Sequence, residues 1–145
     1  MTDLPHHYAV RASAHPEGDV ALAAEKLPTI ASAPPAEFGG PGDRWSPESL
    51  LVAAVANCFV LSFRAIAQAS KIAWTSLEAE ATGTLDRVEK ATRFTRMDVR
   101  ATLRIPAGVD VARAERVLQR AEQTCFISNS LVCERHLQAT VETGS

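Results

Sequence analysis

The segment Ser46-Pro47-Glu48-Ser49-Leu50-Leu51-Val52-Ala53-Ala54-Val55-Ala56-Asn57-Cys58-Phe59 constrains this chain more than any other. It opens on three helix-start signals in a row. Ser46 is a good N-cap, Pro47 suits the first helical position, and Glu48 favours the positive end of the helix dipole. The apolar character continues well past Phe59, which predicts a helix from about Pro47 to Ala69. Alanines at 53, 54, 56, 65, 67 and 69 let other elements approach its surface closely. The stretch from Leu50 to Ala69 is long enough to span a bilayer, but Asn57, Ser62, Arg64 and Gln68 interrupt it, and a central charge is costly in lipid. The expectation is a helix buried on most sides, with no membrane association.

The flanking sequence reads mainly as strands. Before the helix, Tyr8 to Ala14 and Asp19 to Leu22 are short β-like runs joined by the turn His15-Pro16-Glu17-Gly18, which predicts a hairpin. Leu27 to Ile30 is a candidate third strand. Ala31 to Arg44 carries Pro34, Pro35, Gly39, Gly40, Pro41 and Gly42 and reads as a loop. After the helix, Ile72 to Leu85 and Phe94 to Ile105 predict an antiparallel hairpin around a polar turn at Asp86 to Thr92, with the alternation slipping phase near Arg96. Asp110 caps a helix to about Thr124, with Val111, Ala114, Val117, Leu118 and Ala121 on one face. Phe126 to Cys133 predicts a further short helix, and His136 to Glu142 a closing strand. The order βββ-α-ββ-α-(α)-β favours an α+β fold over a wound parallel sheet.

With 145 residues, the chain is expected to form a single domain spanning 1–145, with length enough for a real core. Net charge is −2 and the basic residues are dispersed, which argues against a nucleic-acid partner. The N-terminal Met1-Thr2-Asp3-Leu4-Pro5-His6-His7 has no basic start followed by an apolar run, so no signal peptide is expected. Three cysteines in such a chain read as cytoplasmic thiols rather than a disulfide framework.

Those thiols are the candidate chemistry. Cys58 lies in the long helix and Cys125 near the end of the second helical segment, so redox chemistry is favoured over metal binding if the two meet. Each is equally readable as a small core residue, since free cysteine is among the most buried types. Cys133, beside Glu134, Arg135 and His136, reads as a surface bystander, with a resolving thiol as its alternative role. No metal is expected: there is no Cys-x-x-Cys pair, and His6, His7, His15 and His136 do not space with a cysteine. Gly39-Gly40-Pro41-Gly42 precedes a helix but lacks the Lys-Ser/Thr of a phosphate loop. Glu48 either compensates the helix dipole or orients a catalytic group. It stands ten residues from Cys58, about 15 Å along a straight helix, so the two cannot touch within one helix. If Glu48 serves Cys58, two such helices pack antiparallel and the site is shared by a homodimer.

The run Ser46 to Phe59, as Asn/Ser-Pro-Glu-x-Leu, a small-residue stretch and then Cys-Phe, resembles the helix motif of the OsmC/Ohr family, the osmotically inducible and organic hydroperoxide resistance proteins. Cys125 with Ser128 resembles that family's second motif, Cys-Pro-Val-Ser. The resemblance covers nearly the whole chain. It implies an intertwined α+β homodimer, with antiparallel sheets around a long central buried helix and active sites at the interface. It implies a cysteine-based peroxidase that reduces organic hydroperoxides to alcohols. Carried over by position, Cys58 is the peroxidatic thiol, Cys125 the resolving thiol and Glu48 the site-orienting carboxylate. No bound cofactor is implied, only an external dithiol reductant, which in the Ohr branch is a lipoylated protein. Two departures stand out. Phe126 replaces the family's Pro. The family's N-terminal Arg, which stabilises the thiolate, has no match in His15-Pro16-Glu17-Gly18-Asp19, leaving Arg44 in Gly42-Asp43-Arg44-Trp45 as the candidate cation. The missing Arg favours a second function, a stress-related protein of the same fold that binds small apolar ligands. A third reading is a structural dimer with inert thiols.

Overall fold

The computed structural model describes residues 3–144; Met1 and Thr2, which open the N-terminal stretch read above, and Ser145 lie outside the described residues. The chain divides into two compact units between Leu50 and Leu51. The element order is that expected from sequence, and the fold is α+β.

In the first unit, β1 (Arg11–Ser13), β2 (Val20–Ala23) and β3 (Ile30–Ser32) form an antiparallel sheet in that order. The predicted hairpin is present, with Arg11 opposite Ala23 and Ser13 opposite Ala21. The third strand starts at Ile30, where the sequence suggested Leu27 to Ile30. Lys26 turns left-handed at φ 66, and the Leu27 N–H closes that turn on the Ala24 carbonyl at 3.1 Å. Pro28 then has no N–H to offer a ladder. The Pro/Gly loop contains a short 3-10 turn at Ala36–Phe38. Gly40 is obligatory there, because a Cβ would sit 1.6 Å from the Pro34 carbonyl oxygen.

Helix α1 spans Pro47–Ala69, with the bounds predicted. Its start is a reciprocal cap: the Ser49 N–H donates to Ser46 Oγ at 3.1 Å, and the Ser46 N–H donates to Ser49 Oγ at 2.8 Å. This is a capping box with Ser49 in the place usually held by Glu or Gln.

The second unit holds β4 (Ser76–Val88), β5 (Ala91–Ile105), α2 (Val111–Gln123), α3 (Phe126–Asn129) and β6 (Glu134–Thr143). The sheet order is β4-β5-β6. The expected turn at Asp86 to Thr92 shrinks to Glu89 and Lys90, because Glu89 adopts φ 58 and the strands run on to a tight reversal. The phase slip near Arg96 has a physical origin. Thr84 pairs with Arg96 but Leu85 pairs with Phe94, so Thr95 is the extra residue of a β-bulge.

The expectation of antiparallel sheets is corrected here. β4 and β5 are antiparallel, but β6 runs parallel to β5, with Met97 opposite Arg135 and Ile105 opposite Thr143. The α2–α3 crossover carries the chain back before β6 begins, and such a return produces a parallel neighbour.

Alternate residues of β5, Met97, Val99, Ala101, Leu103 and Ile105, are buried. They share one core with Val55, Phe59, Phe63 and Ala67 of α1 and with Ala114, Val117, Leu118 and Ala121 of α2. The α1 residues recur every fourth position, a single stripe. Burial along α1 is graded: within the chain 22% of its most apolar stretch is fully buried, most of the rest is half-buried, and Leu61 is 46% exposed. One helix face meets the sheet, Ala53, Ala54 and Ala56 are half-buried, and Leu61, Ala65 and Ala69 are exposed.

Candidate functional site

Cys58 lies mid-way along α1, half-buried, one residue before the core residue Phe59. Ser62, one helical turn on, faces the same side, with its Oγ 3.9 Å from the Cys58 sulfur. Cys125 arrives from the other direction. Helix α2 ends at Gln123, Thr124 caps it by sending its hydroxyl back to the Arg120 carbonyl at 2.8 Å, and Cys125 becomes the N-cap of the one-turn helix α3. Cys125 is fully buried.

The structure thus brings together two of the residues singled out by sequence. The Cys125 thiol and the backbone N–H groups of Ile127 and Phe126 lie near enough to Cys58 to favour its thiolate. All three cysteines are free, with no disulfide. Burial raises the Cys58 pKa, but hydrogen bonds from the Ile127 N–H, the Cys125 thiol, the Ser62 hydroxyl and the Phe126 N–H outweigh it. The net effect places Cys58 below the ordinary thiol range. Cys125 moves the other way. Burial raises it, Ser128 opposes this through side chain and backbone, and the hydrogen bond and negative charge of Cys58 add to the rise. The two thiols are therefore shifted in opposite directions, Cys58 down and Cys125 up.

The other candidates have their own surroundings. Arg44, in the first unit, pairs with Asp19 at 2.9 Å and Asp43 at 3.2 Å. The groups that lower the Cys58 pKa are hydrogen-bond donors on α1 and at the start of α3. Glu48 sits in the first turn of α1. Its Oε1 atom is buried and has no hydrogen-bond partner among the described residues. Cys133, read from sequence as a surface bystander, is half-buried and packs against the edge of the core.

Sequence reasoning missed the backbone donors altogether. Ser62 carried a signal, its i+4 spacing from Cys58, but stood out only as an interruption of the apolar run. Phe126 was noted as a departure from the family motif, and its consequence is now visible. At the first position of α3 a proline would have no N–H, whereas Phe126 presents one to Cys58. Phe126→Pro should fold, because Cys125 is already extended at ψ 113 and proline suits a first helical position. We expect its Cys58 alkylation profile to move to higher pH and its rate near neutrality to fall severalfold. Iodoacetamide labelling across pH, mapped by mass, checks this. In the parent protein Cys58 should label below the ordinary thiol pKa of about 8.5 and Cys125 only above it.

Comparison with known proteins places the fold. The family model described as OsmC-like protein matches residues 40–142. The uncharacterized protein YmaD of Bacillus subtilis is 26% identical over 115 residues, which span 76% of this chain and 77% of YmaD. Among solved structures, an OsmC-like protein of unknown function from Vibrio cholerae superposes with a TM-score of 0.85 at 18% identity, covering 93% of this chain and 99% of that one. An organic hydroperoxide resistance protein OsmC from Legionella pneumophila superposes with a TM-score of 0.75 at 23% identity, covering 97% and 99%. These structural likenesses establish the fold, and the sequence match extends over most of the chain, which belongs to the OsmC-like protein family.

Proposed function

We propose that this protein is a thiol peroxidase that reduces organic hydroperoxides to alcohols, with Cys58 as the peroxidatic thiol and Cys125 as the resolving thiol. The observation that carries the reading is the meeting of the two thiols with opposite pKa shifts. In the first step the Cys58 thiolate attacks one peroxide oxygen. The O–O bond breaks, the alkoxide takes a proton and leaves as alcohol, and Cys58 becomes a sulfenic acid. Oxidation also removes the negative charge that helped Cys125 hold its proton. Cys125 then deprotonates more easily, attacks the Cys58 sulfur and expels water, giving a Cys58–Cys125 disulfide. An external dithiol restores both thiols and is itself oxidised to a disulfide; a lipoylated protein is the donor we favour.

The reading includes a homodimer. Glu48 and Cys58 are ten positions apart on α1, so a role for Glu48 at Cys58 requires a second copy with its helix antiparallel. The unpartnered Glu48 Oε1 atom and the exposed apolar Leu61 on α1 support such an assembly. Arg44 keeps its place as a candidate thiolate partner only if it exchanges Asp19 and Asp43 for Cys58.

Thiol counting before and after one equivalent of cumene hydroperoxide, with mass mapping, tests the proposal. A rapid Cys58–Cys125 disulfide, with loss of two free thiols per chain, is the expected result. Three free thiols after exposure would overturn it. One observation favours the second reading, a binding protein for small apolar ligands. The first unit has an apolar cleft of about 530 Å³, lined by Val20, Leu22, Pro35, Phe38 and Leu50 and bordered by Glu48. That volume suits a small ligand. A binding protein would keep its ligand affinity in Cys58→Ser.

A further inference from the structure

Helix α3 is a single turn, and no side chain caps its start. A turn this short does not hold its own shape or direction. Yet it presents the Phe126 and Ile127 N–H groups to Cys58. Something outside α3 must fix it.

Arg135, the second residue of β6, makes the ties. Its Nε donates to Glu122 Oε1 at 3.0 Å, near the end of α2. One terminal nitrogen donates to the Glu122 backbone carbonyl, and the other donates to Asn129 Oδ1 at 2.8 Å, at the end of α3. Asn129 closes the loop, its Nδ2 donating to the Gln123 carbonyl at 3.2 Å and its N–H to the Cys125 carbonyl at 2.9 Å. One planar guanidinium thus holds both ends of the segment that contains Cys125, Phe126 and Ile127. The pair is shielded, with the Arg135 side chain 25% exposed and that of Glu122 14%. It differs in this from the open Arg96–Asp98 and Arg104–Glu142 pairs on the same sheet. Lysine could not replace it, since only the fork of arginine reaches three acceptors at fixed angles.

We propose that Arg135 is a positioning residue for the thiol site: through Glu122 and Asn129 it fixes the α2–α3 bend and so aims the Phe126 and Ile127 N–H groups and the Cys125 thiol at Cys58. The proposal rests on the reading of Cys58 as the reacting thiol. Oxidation of Cys58 would then depend on a residue that touches neither sulfur nor substrate.

The test compares Arg135→Met, Arg135→Lys and Asn129→Ala in the full chain, with Arg96→Met as the control that breaks an ion pair away from the bend. The first readout is the pH profile of Cys58 alkylation by iodoacetamide, which needs no peroxide. Arg135→Met should move that profile toward the ordinary thiol range, Arg135→Lys should recover it only in part, and Arg96→Met should leave it unchanged. Disulfide formation with cumene hydroperoxide should slow about tenfold or more in Arg135→Met. If Arg135→Met does not fold, Asn129→Ala decides, since it cuts the tie to α3 and leaves the Arg135–Glu122 pair. A folded Arg135→Met or Asn129→Ala with the parent profile overturns the proposal. Should the parent protein itself form no disulfide, the peroxidase reading fails, while the alkylation profiles still decide the role of Arg135.

Discussion

Cys58→Ser should reduce hydroperoxide turnover to the uncatalysed background. A serine hydroxyl does not ionise near neutral pH, so the donors at Ile127, Cys125 and Phe126 would have no anion to stabilise. The substitution is close to isosteric at a half-buried position, and the fold should survive it. Cys125→Ser separates the two roles. It should still consume one equivalent of peroxide, but the sulfenic acid at Cys58 would have no thiol to condense with. It should accumulate, react with dimedone, and pass to sulfinic acid under excess peroxide. Cys133→Ser should behave as the parent protein does. Consumption of cumene hydroperoxide in the presence of a dithiol, followed by mass analysis of each variant, checks all three. A Cys58→Ser protein that still turns over peroxide would remove Cys58 from the mechanism.

Phe63→Ala should cost the most stability of any single truncation in the second unit. Phe63 is fully buried, lies on the α1 stripe that faces β5, and meets Trp74 edge-to-face with ring centroids 5.3 Å apart. Removing a buried phenyl ring loses its transfer free energy and leaves a cavity, together about 3–5 kcal/mol. For a chain of this size that corresponds to a fall in Tm of roughly 10 °C. Val132→Ala is the contrast, at 90% exposure, with an expected change within about 0.5 kcal/mol. Thermal unfolding followed by circular dichroism measures both. A small shift for Phe63→Ala would mean that α1 rotates to refill the space.

The helix boundaries were the most legible feature of the chain. Ser46, Pro47 and Asp110 carry local chemistry that acts whatever surrounds it, so α1 and the start of α2 follow from neighbours in sequence. The alternation of β5 was equally clear, and even the bulge at Thr95 left a trace as a phase slip. Cys58, Cys125 and Glu48 stood out through motif and spacing. The turn at Glu89-Lys90 did not, because polar residues such as Asp86, Arg87 and Arg93 look the same on an exposed strand face as in a loop.

What sequence alone determined, then, was the local set: where helices begin, which strands alternate, and which thiols carry candidate chemistry. The tertiary structure decided the rest. It made β6 parallel to β5, since strand direction is set by the path of the crossover and not by side-chain period. It left α1 exposed at Leu61 and Ala65, since composition reports that a helix is apolar and not what covers it. It also supplied the groups that tune Cys58, because backbone N–H donors have no residue type to betray them. Their aim depends on Arg135, Glu122 and Asn129, which meet only once α2, α3 and β6 have packed.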